Sequence, residues 1–326
     1  SKTGAKFKRE YSKVFNGYSV TLPANEVDKL LTLPNVKAVF PNEEMHALPV
    51  ADGHEVTPNM DESAPLIGAE DMWDSGYDGE GVKVGVIDTG IDYNHPSLKD
   101  AYKGGYDFVD NDADPMETLP DPSKPLDSNG NTYDTYHGTH VSGTVAGRGD
   151  PEHPDAGKGW VRGVAPGSDL YVYRVLGPYG SGSTENVIAG IEKAVSDGMD
   201  VINLSLGSNM NNSYTPDAIA ADNAALAGVT VVISNGNEGP DAETVGSPAA
   251  AQLAISVGAS TPPLQTPIFT SDTIGITYAQ LAATSPKLET EGADLELVDA
   301  GLGRPSDYAN IDIEGKTAFV QRGEIS

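Results

Sequence analysis

The sequence predicts an α/β fold, a parallel sheet with helices on both of its faces. Three observations carry this. Between Asp169 and Val257, strand-like and helix-like stretches alternate, and that rhythm of βαβ units implies parallel strands in a three-layer arrangement. The strand-like stretches are short and apolar, as at Val84, Val86 and Ile87, the texture of strands buried on both faces. Two of them end on polar side chains followed by glycine, at Asp88-Thr89-Gly90 and Ser234-Asn235-Gly236-Asn237. Open α/β sheets gather their reactive groups outside the carboxyl ends of their strands.

Taken in order, residues 1–50 form a small α+β unit that begins incompletely. Val14 to Leu22 alternates like a strand. Ala24 to Leu33 places Val27, Leu30 and Leu31 at helical spacing, with Asn25 as its N-cap, and Val36 to Phe40 reads as a second strand after Pro34-Asn35. Residues 51–63 are polar, with Gly53 and Pro58, and are read as a linker. The main domain spans 64–262. Its first strand ends at Asp88, Asp107 to Asn131 is loop, and a helix rich in small residues starts near His137. Strands follow at Asp169–Leu176, Val201–Leu206, Val229–Ile233 and Ala254–Val257, with helices at Glu185–Ser196 and Asp217–Leu226. Val187, Ile188, Ile191, Ala194 and Val195 share one face of the first of these, a core-packing stripe closed by Gly198. From 263 to 326 prolines break the rhythm and short strand-like runs appear, at Leu295–Val298 and Thr317–Val320, so this reads as a second, partial and mostly-β domain inside which the chain ends.

Composition narrows the function. A net charge of −28 argues against a nucleic-acid partner and for a self-repelling surface. There is no cysteine, which removes disulfides, cysteine nucleophiles and thiolate metal sites. No apolar run approaches the ~18 residues of a membrane span. The polar start at Ser1-Lys2-Thr3-Gly4 has no signal-peptide core and reads as a trimmed beginning.

A carboxylate at a buried strand end needs a partner, because burial otherwise neutralises it. Asp88 finds candidates in Tyr136-His137-Gly138-Thr139-His140-Val141-Ser142-Gly143-Thr144 and in Asn235-Gly236-Asn237-Glu238-Gly239. An Asp that orients a His, with an Asn donating to an oxyanion, is the chemistry of serine hydrolysis. His137 and His140 have the spacing of a zinc pair, but no third ligand cluster accompanies them. His140 reads as a structural neighbour and Asn235 as a turn former.

These three blocks, in this order and spacing, resemble the signatures of the subtilisin-like serine peptidases. The likeness extends to Asn203-Leu204-Ser205-Leu206-Gly207 and to Leu176-Gly177-Pro178-Tyr179-Gly180-Ser181-Gly182, and covers roughly Ala64 to Ser260. The resemblance implies a secreted or cell-envelope serine endopeptidase on a subtilisin-like fold, acting on protein or peptide substrates. It implies that Asp88 orients His137, that His137 is general base and then general acid, and that Asn237 donates to the oxyanion. It further implies a cleft in which Gly180, Ser181 and Gly182 pair with substrate backbone while Ser205, Leu206 and Gly207 flank an open, mainly apolar pocket. Gly17 to Phe40 is similar to the end of an inhibitory propeptide, whose tail near Met45 to Pro49 would cover the cleft. Asp294 to Ser326, with Gly315-Lys316-Thr317-Ala318-Phe319-Val320-Gln321-Arg322-Gly323, resembles the opening of a protease-associated domain.

The sequence departs from that family in two places. No Gly-Thr-Ser-Met-Ala-like nucleophile motif is present, and Gly246-Ser247-Pro248, Thr270-Ser271 and Thr284-Ser285 lack its context. The serine is therefore expected outside this chain, which alone should be inactive. The family's tight calcium site is also expected to be absent, since Ser97 stands at the aspartate position of His95-Pro96-Ser97-Leu98 and no ligand loop follows Arg148. Asp110, Asp112 and Asp114, like Asp127, Asn129 and Asn131, are spaced as calcium ligands but lack the acidic residue that completes an EF-hand loop, and they read as solvated acidic surface. The reaction implied needs no cofactor. Two other classes were open on the sequence. One is a non-catalytic binding or surface protein on the same scaffold. The other is a nucleotide-binding α/β protein, which would require a phosphate loop that no strand here supplies.

Overall fold

The computed structural model describes residues 4–48, 60–149, 162–260, 268–271, 276–280, 296–302, 305–308, 311–313 and 315–320. Most of the expected linker, and Thr284-Ser285, lie outside the described residues. The chain divides into one unit of Ser1–Leu48 with Pro58–Pro262 and a second of Pro49–Thr57 with Pro263–Ser326.

The first unit begins with the antiparallel pair β1 (Lys6–Tyr11) and β2 (Gly17–Thr21). The expected strand over Val14–Leu22 is therefore shorter, and β1 carries no expectation from sequence because charges interrupt its apolar positions. A 3-10 turn over Ala24–Glu26 contains Asn25, so Asn25 is not the N-cap of α1 (Val27–Leu31), and no side chain caps either piece. Val36–Phe40 is not a strand. The strand is β3 (Glu44–Ala47), too short and polar to stand out by pattern, and its pairing partners come from the main domain.

Helix α2 (Met60–Leu66) starts inside the stretch read as linker, and α3 (Ala69–Asp74) follows. Next come β4 (Lys83–Asp88), β5 (Tyr102–Asp107), α4 (His137–Ala146) and β6 (Asp169–Arg174). β7 (Ser181–Ser183) leads into α5 (Thr184–Ser196). After these come β8 (Val201–Leu204), β9 (Leu206–Gly207), α6 (Pro216–Leu226), β10 (Thr230–Ser234) and β11 (Ile255–Val257). A six-stranded sheet runs in the order β11-β10-β8-β4-β6-β5, and every neighbouring pair is parallel. β5 was not legible as a strand because Gly104 and Gly105 interrupt it. A Cβ on Gly105 would lie 1.8 Å from the Val172 carbonyl, so this edge pairing depends on glycine.

Period-two alternation in the strands builds a core on each face of the sheet. Ile87, Tyr173, Ile202, Leu204 and Ile233 pack with α5 and α6. Val86, Leu170 and Val172 pack with Ala146, Val141 and Val145 of α4. Each fully buried Leu or Ile contributes about 1.5–3 kcal/mol relative to exposure. The chain runs from β4 to the edge strand β5, returns to β6 beside β4, and then crosses to β8 on the other side of β4, so β4 lies at a topological switch point and Asp88 at its carboxyl end.

Residues 4–48 dock on the α5–α6 face. Tyr11 and Val14 are buried there, the Glu192 carboxylate accepts the backbone N–H groups of Ser12, Lys13 and Val14 at 3.0–3.2 Å, and Asn223 Nδ2 donates to the Val14 carbonyl at 2.8 Å. Lys8 pairs with Glu185 at 2.9 Å, and the Tyr11 hydroxyl donates to the Glu185 carbonyl at 2.8 Å.

In the second unit, β12 (Ile268–Ser271) and β13 (Ile276–Gln280) form an antiparallel hairpin. β14 (Leu297–Asp299) pairs in parallel with β15 (Thr317–Phe319), and α7 (Pro305–Tyr308) lies between them in sequence.

Candidate active site

Asp88 ends β4 fully buried, and His137 opens α4 as its first residue. The two meet through His137 Nδ1 and Asp88 Oδ1 at 2.7 Å. The same Oδ1 accepts the Thr89 N–H at 2.7 Å. Asp88 Oδ2 is buried without a hydrogen-bond partner among the described residues.

Two glycines permit the approach. A Cβ on Gly138 would lie 2.2 Å from the Gly90 carbonyl oxygen, and one on Gly90, at φ +129°, would meet the Pro115 carbonyl oxygen at 2.8 Å. The turn after Asp88 and the start of α4 are thus in backbone-to-backbone contact, which is what the glycines of Asp88-Thr89-Gly90 and His137-Gly138 supply.

Burial of His137 pulls its pKa down, but the Asp88 carboxylate against Nδ1, helped by the Glu117 charge and the Leu48 backbone, more than reverses this and holds it above the ordinary histidine value. His140, one turn on, is pushed the other way, first by burial and then by the His137 charge.

The predicted cleft residues come together around β3. Glu44, Met45 and His46 pair antiparallel with Ser183, Gly182 and Ser181, while His46 and Ala47 pair with Gly207 and Leu206. β3 is therefore the middle strand of a three-stranded sheet. The next residue, Leu48, donates its N–H to the Ser205 carbonyl at 3.4 Å and lines a pocket with Leu206, Gly207, Ser234, Asn235 and Gly246. Gly180, at φ +67°, faces Ala47, whose Cβ would stand 3.3 Å from a Cβ placed there. Met45 is buried beside a cavity of about 140 Å³ lined by Phe40, Tyr214, Thr215 and Asp217.

Asn237 lies on the bend that follows β10, exposed at the surface. Asn235 points inward instead. Its Oδ1 is buried without a hydrogen-bond partner among the described residues, and its N–H donates to the Val257 carbonyl at 2.9 Å, continuing the pairing of β10 with β11. Ser247 is buried and donates its hydroxyl to Asp217 Oδ2 at 2.9 Å. The Asp-rich runs spend their carboxylates on local structure. Asp110 pairs with Arg174 at 2.9 Å, Asp112 accepts the Asp114 N–H at 2.8 Å, and Asp127 accepts the N–H groups of Asn129 and Asn131 at 2.8 Å.

Three supporting residues were not legible in the sequence. Thr89 Oγ1 accepts the Gly138 N–H at 2.8 Å. Buried Arg174 donates to the Thr89 carbonyl at 3.1 Å and to Asp107 at 2.5 Å. Glu117 accepts hydrogen bonds from Thr135 and Thr139. Only the position of Arg174 at the end of a strand neighbouring β4 could have pointed to it, and Glu117 sits in a loop with no pattern.

Residues 79–312 match the subtilase family. This chain belongs to the subtilase family. Residues 1–48 match a second family, peptidase inhibitor I9, a longer stretch than the Gly17–Phe40 expected from the sequence. The chain is 48% identical to the minor extracellular protease Vpr of Bacillus subtilis (strain 168) over 335 aligned residues, covering 98% of this chain and 39% of that protein. It is 35% identical to subtilisin E of the same organism, over 79% of this chain and 59% of that protein. With the major intracellular serine protease of that organism it shares 35% identity over 67% of this chain and 63% of that protein. The chain therefore spans between about two fifths and just under two thirds of the length of these relatives. Among the described residues, no helix is long and apolar enough to cross a membrane.

Proposed function

We propose that the protein is a secreted serine endopeptidase whose residues 1–48 inhibit it in cis. The observation that carries this reading is the pairing of Asp88 with His137 at 2.7 Å beside a cleft already filled by an extended segment of the chain itself. In the proposed reaction, Asp88 accepts from Nδ1–H of His137, which leaves Nε2 free to take the nucleophile's proton and later return it to the leaving amine. Asn237 supplies an amide donor to the developing oxyanion. A subtilisin asparagine in that role is worth ~100–1000-fold in turnover, a value measured on that enzyme. Gly180 to Gly182 and Ser205 to Gly207 hold the substrate backbone as an added strand, much as Ser181 to Ser183 and Ser205 to Gly207 hold Glu44 to Leu48.

The nucleophile we assign to a serine outside residues 1–326, because Ser247 is committed to Asp217 and no serine in the sequence stands in a Gly-Thr-Ser-Met-Ala-like motif. The reaction needs no cofactor. We expect no tight calcium site of the family's kind, because residue 97 is a serine where the family has an aspartate; the stretch from 150 to 161, where its ligand loop would fall, lies outside the described residues. Secretion follows by analogy with the extracellular relative. The segment after 263 is assigned to the opening of a protease-associated insertion.

Leu48 at the pocket suggests cleavage after apolar residues, with a small residue preceding, as Ala47 does against Gly180. A full-length protein carrying the serine should hydrolyse fluorogenic peptides ending in Ala-Leu and lose at least ~1000-fold in kcat on His137→Ala. Undiminished hydrolysis by that variant would overturn the assignment.

A further inference from the structure

Building on the peptidase reading above, we propose that Glu117 is a second working carboxylate of this site. It is a positioning residue that sets the first turn of α4, and with it His137, against Asp88. Glu117 is 6% exposed and, among the described residues, makes no ion pair. An unpaired buried carboxylate is costly unless donors converge on it, and here they do. Its Oε2 accepts from the Thr135 hydroxyl at 2.6 Å, and its Oε1 accepts from both the Thr139 N–H at 2.9 Å and the Thr139 hydroxyl at 3.0 Å.

Thr139 is the third residue of α4, so its N–H is one of the groups that a helix leaves without an internal partner. The residue preceding the helix, Tyr136, supplies no side-chain cap. Capping comes instead from elsewhere in the chain. Thr89, next to Asp88, takes the N–H of Gly138 at 2.8 Å, and Glu117, 22 residues away, takes that of Thr139. Thr139 Oγ1 in turn accepts the Asp92 N–H at 2.8 Å, tying the same turn to the loop that follows Asp88. With the second and third residues of the helix held at both sides, the first residue, His137, has its position fixed relative to Asp88. A misplacement of ~1 Å in such a pair costs on the order of 100-fold in rate.

The charge matters as well as the geometry. The groups facing His137 are Asp88 from β4, Glu117 from its loop, His140 one turn along α4, and the Leu48 backbone from the segment after β3. Two carboxylates therefore favour imidazolium, the form that His137 takes after accepting the nucleophile's proton. The negative charge also lies at the positive end of the α4 dipole.

The test uses the full-length protein with its serine. Glu117→Gln keeps an oxygen acceptor for the Thr139 N–H and discards the charge, whereas Glu117→Ala discards both. In Glu117→Gln the acid limb of kcat/KM, which reports the His137 titration, should move to lower pH by about half a unit. That is less than the 1–3 units a contacting charge produces. Glu117→Ala should show the same displacement and lose about tenfold in kcat with KM unchanged. If Glu117→Ala does not fold, the Glu117→Gln profile decides alone. An acid limb that coincides with the wild type in Glu117→Gln, or a loss confined to KM or to Tm, would overturn the proposal. Failure of the peptidase reading shows separately, as activity unaffected by His137→Ala.

Discussion

Arg174 offers the sharpest test of how the sheet supports Asp88. Arg174 is 4% exposed, and its guanidinium bonds to Asp107 at 2.5 Å, Asp110 at 2.9 Å, Thr118 Oγ1 at 2.7 Å and the Thr89 carbonyl at 3.1 Å. Asp107 is itself 1% exposed, while Asp110 is largely solvated, so the Asp107 bond dominates the energetics. Replacing Arg174 by Met keeps much of the volume but strands the Asp107 charge in the interior. Breaking a buried pair from one side costs about 3–5 kcal/mol, and we expect the lower end because Asp107 Oδ1 keeps the N–H groups of Val109 and Asp110. In a domain of this size, ~3 kcal/mol corresponds to a fall in Tm of roughly 6–12 °C. Adding Asp107→Asn removes the stranded charge, so the double variant should recover about half of the loss. Scanning calorimetry of the wild type, both single variants and the double variant measures the cycle. A Met variant within ~0.5 kcal/mol of wild type, or a double variant as unstable as the sum of the singles, would refute the reasoning.

Two further outcomes are expected. Glu192→Ala removes the acceptor of three backbone N–H groups of residues 12–14 at a half-exposed site. It should loosen the docking of residues 4–48 by about 1–2 kcal/mol, read as a ~5–30-fold loss of amide-exchange protection at Ser12 to Val14, and unchanged protection would contradict it. The raised pKa of His137 should appear as an NMR titration midpoint above ~6.5 that drops on Asp88→Asn. Because the folded value is the higher one, the associated stability is complete below the unfolded pKa and disappears as pH rises through the folded one. A midpoint at or below ~6.5 in the wild type would show that burial outweighs Asp88.

The sequence by itself determined the fold class, the strand–helix order from Asp169 to Val257, and the pairing of Asp88 with His137. The first two rest on local signals, period-two and period-3.6 apolar spacing, whereas the pairing rests on the Asp88, His137 and Asn237 blocks standing together in the order and spacing that resemble the subtilase signatures.

What lay beyond local pattern was decided by tertiary contact. β3 is a strand because two main-domain segments flank it, and Val36–Phe40, with better β propensity, is not one because no strand among the described residues pairs with it. β5 is held at the sheet edge by a contact only glycine permits. The first turn of α4 is capped by Thr89 and Glu117, residues distant in sequence, because its own preceding residue, Tyr136, supplies no side-chain cap. In each case the deciding energy is a hydrogen bond or burial between segments far apart in sequence. Such a term has no signature until the chain is folded.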